Sequence, residues 1–237
     1  MKKTCFVIPC YNEEANIPKL TLELEKINKE DPSINFILVN NGSVDNSYKI
    51  LMNEASNLPC INVVNVEENQ GMGYGIMCGI NKALENVEFG FIGWTHADLQ
   101  IPTSSLITAN TLMNNNITSS EKIYIRGFRK NRNSVLDVIF TIMMAIYTSL
   151  MKKGYYWDIT GLPVLTDREF IKLITQNYQY GFAFDVSTYI LANRNNAKIL
   201  RFPVYFQKRI HGKSSWNTGL YSRIKMSLYY IKNIFYI

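Results

Sequence analysis

Two histidines and four cysteines are the only imidazole and thiol ligands in 237 residues. No two cysteines form a CxxC pair and none lies near a histidine, so zinc-finger and dithiol redox chemistry have no support. Cys5 and Cys78 lie in apolar surroundings, where reduced, buried thiols are expected. Internal repeats, low-complexity linkers and known basic nucleic-acid motifs are missing, so nucleic acid is not an expected partner. The N-terminal MKKTCFVIPCYNEE has an apolar run too short, and too soon broken by charge, for a signal peptide; a cytosolic protein is expected.

What is present reads as one domain with an appendage. Hydrophobic residues make up 47% and charged residues 19%, an ordinary globular balance. A net charge of +6, with Lys and Arg gathering after Arg126, favours an anionic partner. Three times in the first hundred residues an apolar, strand-like run stops in a polar cluster: CFVIP into CYNEEAN, FILV into NNGSVDNS, FGFIGW into THADLQ. Ligand sites of open α/β sheets lie outside the carboxyl ends of strands, so three such ends predict one shared pocket.

Between these runs the pattern turns helical. Ile17, Leu20, Leu24 and Ile27 share one stripe over roughly 13–30, and helical stretches are expected from about Asn46 to Ser56 and after NQGMGYG. INVVNV is a further strand. This alternation predicts an α/β fold: a mostly parallel sheet flanked by helices.

Beyond residue 120 the chain becomes more aromatic and more basic. Residues 134–151 form a long apolar helix in which Ser134, Asp137, Thr141 and Thr148 share one narrow polar stripe. Its single acidic residue and its length argue against a membrane span. The wide apolar face requires burial in protein or at a membrane surface, and a core helix is the plainer expectation. The C-terminal stretch places Tyr221, Ile224, Leu228, Ile231 and Phe235 at helical spacing, with Arg223, Lys225 and Lys232 elsewhere. A packed terminal helix and a basic membrane-surface helix both fit that pattern.

Each polar cluster has a plain use and a chemical one. Tyr11, Asn12, Glu13 and Glu14 suit a helix start, yet the ring can stack on a base and a carboxylate can hold ribose hydroxyls. Asn40-Asn41-Gly42-Ser43 suits a tight turn, yet its amides can read a base edge. His96 and Asp98 alternate at a strand end, with Gln100 adding an oxygen, and a divalent cation there would neutralise a diphosphate leaving group. Gly71, Gly73 and Gly75 let backbone approach a phosphate at a helix start, although they do not form the dinucleotide fingerprint.

Taken in order, FVIPCYNEEANI, VNNGSVDNS, ENQGMGYGIMCGI, WTHADLQIP, RGFRKNR, DITGLPVL and RFPVYFQKRIHGKSSWN resemble family 2 glycosyltransferases of the GT-A fold. Within that family the chain is most similar to the dolichol- or polyprenyl-phosphate sugar synthases, over about residues 4–217. The resemblance implies that Pro9, Tyr11 and Glu13 hold the nucleoside. Asn40 and Asn41 stand where the family has two aspartates, the first of which contacts the base. Asp98 and Gln100 match the metal-binding end of the DADxQ motif, and His96 takes the place of its first aspartate. Met72 stands where the family's glycine-rich motif carries lysine. Arg129 and Arg132 fall in the basic segment that holds phosphates. Asp158 of DITG matches the acidic position near the acceptor. Arg209, Lys213 and Ser214 match a loop that closes over the substrate.

The implied protein is a GT-A domain over residues 1–217 with a basic amphipathic helical tail over 218–237. It would transfer a sugar, with inversion, from a nucleotide diphosphate of unspecified base to a polyprenyl phosphate. A saccharide hydroxyl acceptor, with Asp158 as base, is the alternative, and a non-catalytic nucleotide-sugar binding module is another. A nucleotidyltransferase would need a Lys- or Arg-bearing glycine loop after the first strand, and CYNEEAN does not supply one. Because imidazole suits later transition metals, His96 favours Mn2+ over Mg2+ as the divalent cation. A peripheral position on the inner face of the membrane is the expected alternative to a purely cytoplasmic one, and a homo-oligomer stays open.

Overall fold

A computed structural model describes residues 2–117, 122–131, 134–177, 183–209, 211 and 219–237. The first half alternates strictly. Strand β1 (Lys3–Cys10) leads to helix α1 (Ile17–Glu30), β2 (Ile34–Asn41) to α2 (Ser47–Ala55), β3 (Ile61–Val66) to α3 (Met72–Glu85), and β4 (Phe89–Trp94) to α4 (Ser104–Asn116). The second half holds β5 (Ile123–Lys130), α5 (Val135–Lys152), β6 (Val164–Asp167), α6 (Arg168–Asn177), α7 (Phe184–Arg194), β7 (Lys198–Tyr205) and α8 (Leu220–Tyr236). The expected stripe of α1 is buried at Ile17, Leu20, Leu24 and Ile27.

All seven strands join one sheet in the order β3-β2-β1-β4-β6-β5-β7. The pairs β1–β2, β1–β4, β2–β3 and β5–β7 are parallel, while β6 runs antiparallel to both β4 and β5. Two reversals restore direction, so β5 and β7 point the same way as β1 to β4. Every parallel strand therefore ends on one edge of the sheet. The register is tight there: Cys10 lies opposite Asn40, and Thr95 just past β4 donates its N–H to the Val7 carbonyl at 3.1 Å. All four cysteines are free, with Cys5, Cys10 and Cys60 buried and Cys78 partly so.

Helix α5 departs from the expected core helix. Only Met144, Ala145 and Thr148 on it are buried. Its polar stripe faces the protein: Asp137 accepts a 2.7 Å bond from Arg223 Nε of α8, and Thr148 bonds back to the Met144 carbonyl. The apolar side faces out, with Val135 and Leu150 each 75% exposed and Leu136, Ile139, Ile142, Met143 and Ile146 also open. Periodicity locates such a stripe but cannot say which side the fold covers. On α8 most of the expected stripe is also open, with Tyr221, Ile224, Leu228 and Phe235 exposed, although Ile234 beside it is buried. The tail is not detached: Tyr147 Oη and Arg194 Nη1 donate to the Ile231 and Ile237 carbonyls.

Candidate active site

The loops after β1 and β2 are laced into one surface. Asn12 donates its N–H to Ser43 Oγ at 3.1 Å and accepts the Val44 N–H on Oδ1 at 3.0 Å. Glu13 donates its N–H to Ser47 Oγ at 2.8 Å, and Glu14 accepts the Asn46 N–H at 3.0 Å. Residues at turns and helix starts thus bind one another across two loops and leave Tyr11 exposed above them. Asn16, not Asn12, precedes the first helical residue.

Gly42 makes the second loop feasible. Its φ is +70°, and a Cβ there would lie 2.3 Å from the backbone nitrogen of Asn69. Just before it, Asn40 is buried, donates Nδ2 to Asn65 Oδ1 at 2.7 Å and accepts the Ser43 N–H on Oδ1 at 3.4 Å. Asn41 turns away from that surface and donates Nδ2 to the carbonyl of Gly71, the residue preceding α3. Its Oδ1 is buried without a hydrogen-bond partner among the described residues. Asn41 therefore braces β2 against α3 beside Gly73 and Gly75 (a Cβ on Gly75 would strike its amide).

The third cluster carries the charge. Asp98 is buried; its Oδ2 accepts a 2.6 Å ion pair from Arg209 Nη2 and its Oδ1 the Gln100 N–H at 3.1 Å. Gln100 and Gln207 tie the loop after β4 to the segment after β7, through Gln207 N–H to Gln100 O at 2.8 Å and Gln100 Nε2 to Gln207 O at 3.2 Å. His96 is half-buried beside them. Burial raises the Glu13 carboxyl pKa, with a further push from Asp98 and opposing pulls from its Asn16 bond, Arg209 and His96. Those side chains belong to one electrostatic cluster.

A divalent cation can be tested against this donor set. Among the described residues no three His, Cys, Asp or Glu side chains gather to hold a metal unaided. Asp98, His96 and Gln100 supply one carboxylate, one imidazole and one amide, and Asp98 already holds a cationic group in Arg209. The set fits a cation whose other ligands come from a bound diphosphate, once the guanidinium moves aside.

On the neighbouring strands a second charged group forms. Asp158, with φ +44°, accepts the Arg129 N–H at 2.8 Å, Arg129 Nε at 3.0 Å and a further short bond from Nη2, which also reaches Thr160 Oγ1. Burial pushes the Asp158 carboxyl up, but Arg129 outweighs it and holds the pKa below the usual range. A carboxylate held in its ionised form by an arginine is a weak proton acceptor, so the arrangement suits an anchor for Arg129. Beyond Arg129 opens a cavity of about 260 Å³ between α5 and α8. Its lining is mixed: Arg129, Arg223, Asp137 and Tyr230 are polar, and Phe140, Met144, Ile159 and Met226 are apolar.

Residues 5–116 match the family model described as glycosyl transferase family 2. Over these residues the chain is similar to family 2 glycosyltransferases. Among curated proteins it is 35% identical over 109 residues to an undecaprenyl-phosphate 4-deoxy-4-formamido-L-arabinose transferase of Proteus mirabilis, covering 45% of this chain and 32% of that protein. It is 37% identical over 82 residues to a dolichyl-phosphate beta-glucosyltransferase of Trichomonas vaginalis, covering 32% and 24%. The match thus spans a third or less of these relatives. Among solved structures, glucosyl-3-phosphoglycerate synthase of Mycobacterium tuberculosis superposes over 100% of this chain and 81% of its own, with a TM-score of 0.72 at 14% identity. The same enzyme with Mn2+, UDP and glucosyl-3-phosphoglycerate gives a TM-score of 0.68 at 14% identity, over 97% and 80%. These likenesses establish the GT-A fold.

Pro9, Tyr11, Glu13, Asn40, Asp98, His96, Gln100 and Arg209 gather on one sheet edge, with Arg129 and Asp158 further along it. Arg132, Lys213 and Ser214 lie outside the described residues. Three inward groups escaped the sequence reading. Arg126 is fully buried, donates Nη2 to the Asp158 and Gly161 carbonyls and lies 3.9 Å over the Tyr189 ring. Asp185 is buried, accepts Trp94 Nε1 at 2.7 Å, and has its pKa raised by burial against the pull of His96, that bond and the arginines. Arg223 lines the cavity. Arg126 opens the RGFRKNR segment, but nothing in the sequence shows that it, Asp185 or Arg223 turns inward.

Proposed function

We propose that this chain is an inverting glycosyltransferase that moves a sugar from a nucleotide diphosphate to a polyprenyl phosphate at a membrane surface. The observation that carries the acceptor reading is the open apolar surface of α5 and α8. Two adjacent helices present large apolar side chains outward, α5 with its polar stripe turned inward, which a protein surrounded only by water does not favour. Val135–Lys152 has a mean hydropathy of 1.6 and is by length and composition apolar enough to cross a membrane. Its contacts with α8 and its buried Thr148 suit a position along the surface instead. Lys152, Lys153, Lys225 and Lys232 accompany these faces, each worth about 1 kcal/mol near an anionic leaflet. The cavity beneath, lined by two arginines and by apolar side chains, suits an amphiphile with an anionic head.

In this reading Tyr11 and Glu13 bind the nucleoside with Asn40, while Pro9 and Asn41 shape the floor and Gly71 and Gly73 admit the diphosphate. Arg129, anchored by Asp158, faces the acceptor phosphate, with Arg132, Lys213 and Ser214 completing the phosphate contacts. A phosphate monoester is already an anion, so it attacks the anomeric carbon without a general base as the bond to the diphosphate oxygen breaks. Catalysis then rests on positioning and charge stabilisation. The cation at Asp98, His96 and Gln100 would neutralise the departing diphosphate, and the imidazole favours Mn2+ over Mg2+ there. Solved neighbours that contain UDP with Mn2+ or with Mg2+ support a divalent ion.

The test combines transfer and flotation. With a panel of nucleotide sugars and farnesyl phosphate, the chain should form a sugar-phosphate-lipid, and it should float with anionic liposomes. Ile139→Glu with Met143→Glu should abolish flotation while leaving unfolding stability within about 0.5 kcal/mol, as for exposed sites. A protein that ignores liposomes and farnesyl phosphate but glycosylates a soluble sugar would refute the lipid acceptor.

A further inference from the structure

We propose that Arg209 is a resident counter-cation of Asp98 that excludes bare metal ions and yields the site only to a cation arriving with a diphosphate. The inference rests on the donor-side reading of Asp98 and concerns how that site is regulated. Three observations carry it. Arg209 Nη2 lies 2.6 Å from Asp98 Oδ2, the one carboxylate of the candidate cation set. The pair is reachable, with Arg209 25% and Asp98 11% exposed at their side chains. The Gln100–Gln207 pair moors the chain two residues before Arg209, so the guanidinium can leave the carboxylate without leaving the site.

Charge counting gives the consequence. Asp98 and Arg209 together sum to zero. A divalent ion alone would bring two uncompensated positive charges and face a guanidinium competing for the same oxygen. A nucleotide diphosphate sugar alone brings two negative charges against one arginine. Both together return the site to zero, with the cation on Asp98 and Arg209 turned to the phosphate oxygens. Guanidinium forks bind carboxylate and phosphate through the same charge-assisted geometry, so the exchange replaces one strong pair by another. Metal and nucleotide therefore bind with positive coupling, and Arg209 adds to the part that comes from the diphosphate ligating the cation directly.

The experiment follows free Mn2+ by electron paramagnetic resonance, with and without UDP, and with GDP and CDP in parallel. In the parent chain, the preferred nucleotide should tighten Mn2+ binding by about tenfold or more, within the usual range of coupling between sites. Arg209→Gln should tighten Mn2+ binding without nucleotide by about tenfold, weaken nucleotide binding without metal, and shrink the mutual enhancement. Arg209→Lys, which keeps the charge but not the fork, should lie between the two. Asp98→Asn should remove Mn2+ binding from both backgrounds. Equal affinity for nucleotide-free Mn2+ in the parent and both Arg209 variants overturns the proposal, as does a parent that binds no Mn2+ with any nucleotide. A chain that shows the coupling but transfers no sugar would retire the transfer reading and leave the counter-cation role standing.

Discussion

Replacing Asp158 by Asn isolates the charge of one buried group with little change in shape. Asn has the same outline and tolerates the left-handed backbone found there, φ +44°, about as well as Asp. The variant leaves the Arg129 guanidinium facing a neutral amide instead of an ionised carboxylate that accepts its Nε, its Nη2 and its backbone N–H. Breaking a buried ion pair by removing one partner costs about 3–5 kcal/mol. Arg129 retains 14% side-chain exposure, so water softens the loss and about 3 kcal/mol is expected. In a domain of this size that lowers the melting temperature by roughly 6–12 °C. The pH dependence sharpens the test. The folded Asp158 pKa is depressed, so its stabilisation is complete above the unfolded value near ~4 and disappears as pH falls through the folded value. Urea unfolding of parent and variant should give the same difference at neutral pH and at mildly acid pH, and a shrinking one only in strong acid. A difference below about 1 kcal/mol at neutral pH, or one that fades on mild acidification, would refute the account of Asp158 as the anchor of Arg129.

Asp185 should behave oppositely. Its folded pKa is raised, so its contribution is full below the unfolded value and is lost as pH rises through the folded one; Asp185→Asn should therefore unfold at higher urea than the parent at neutral pH, by a margin that shrinks in acid. Gly42→Ala should cost about 1–3 kcal/mol for its positive φ, with more from the clash at Asn69, and should weaken nucleotide binding in calorimetric titration by displacing Asn40. An alanine variant of parental stability would show that this turn has another shape in solution.

Much of the first half was legible because one local rule governs it. Parallel strands covered by helices read as short apolar runs, and the polar residues following CFVIP, FILV and FGFIGW had to fall at strand ends. The register that sets Cys10 against Asn40 then brings those ends together. Long-range pairing was not legible. Nothing near Asp98 announces Arg209, 111 residues away, and nothing near Trp94 announces Asp185. The orientation of α5 was hidden for another reason. A narrow polar stripe on an apolar helix implies a solvent face when the surroundings are water. Here Arg223 supplies a partner for Asp137 inside, and the rule reverses.

The arginine–aspartate pairs along the sheet edge are not equivalent, and the difference assigns them different work. Asp158 is buried, receives Arg129 through backbone and side chain together, and is held below its ordinary pKa. Releasing Arg129 would strand a carboxylate with almost no access to water, at a cost of several kcal/mol. An anion arriving at Arg129 must therefore be bound by a guanidinium that keeps its first partner, which gives a fixed and oriented donor. Asp98 receives Arg209 through a single described nitrogen contact, and the pair is more open to solvent. It can exchange partners at a cost that an incoming phosphate or metal ion can offset. For this reason the Asp158 substitution is predicted to act on stability, and the Arg209 substitution on the coupling between ligands.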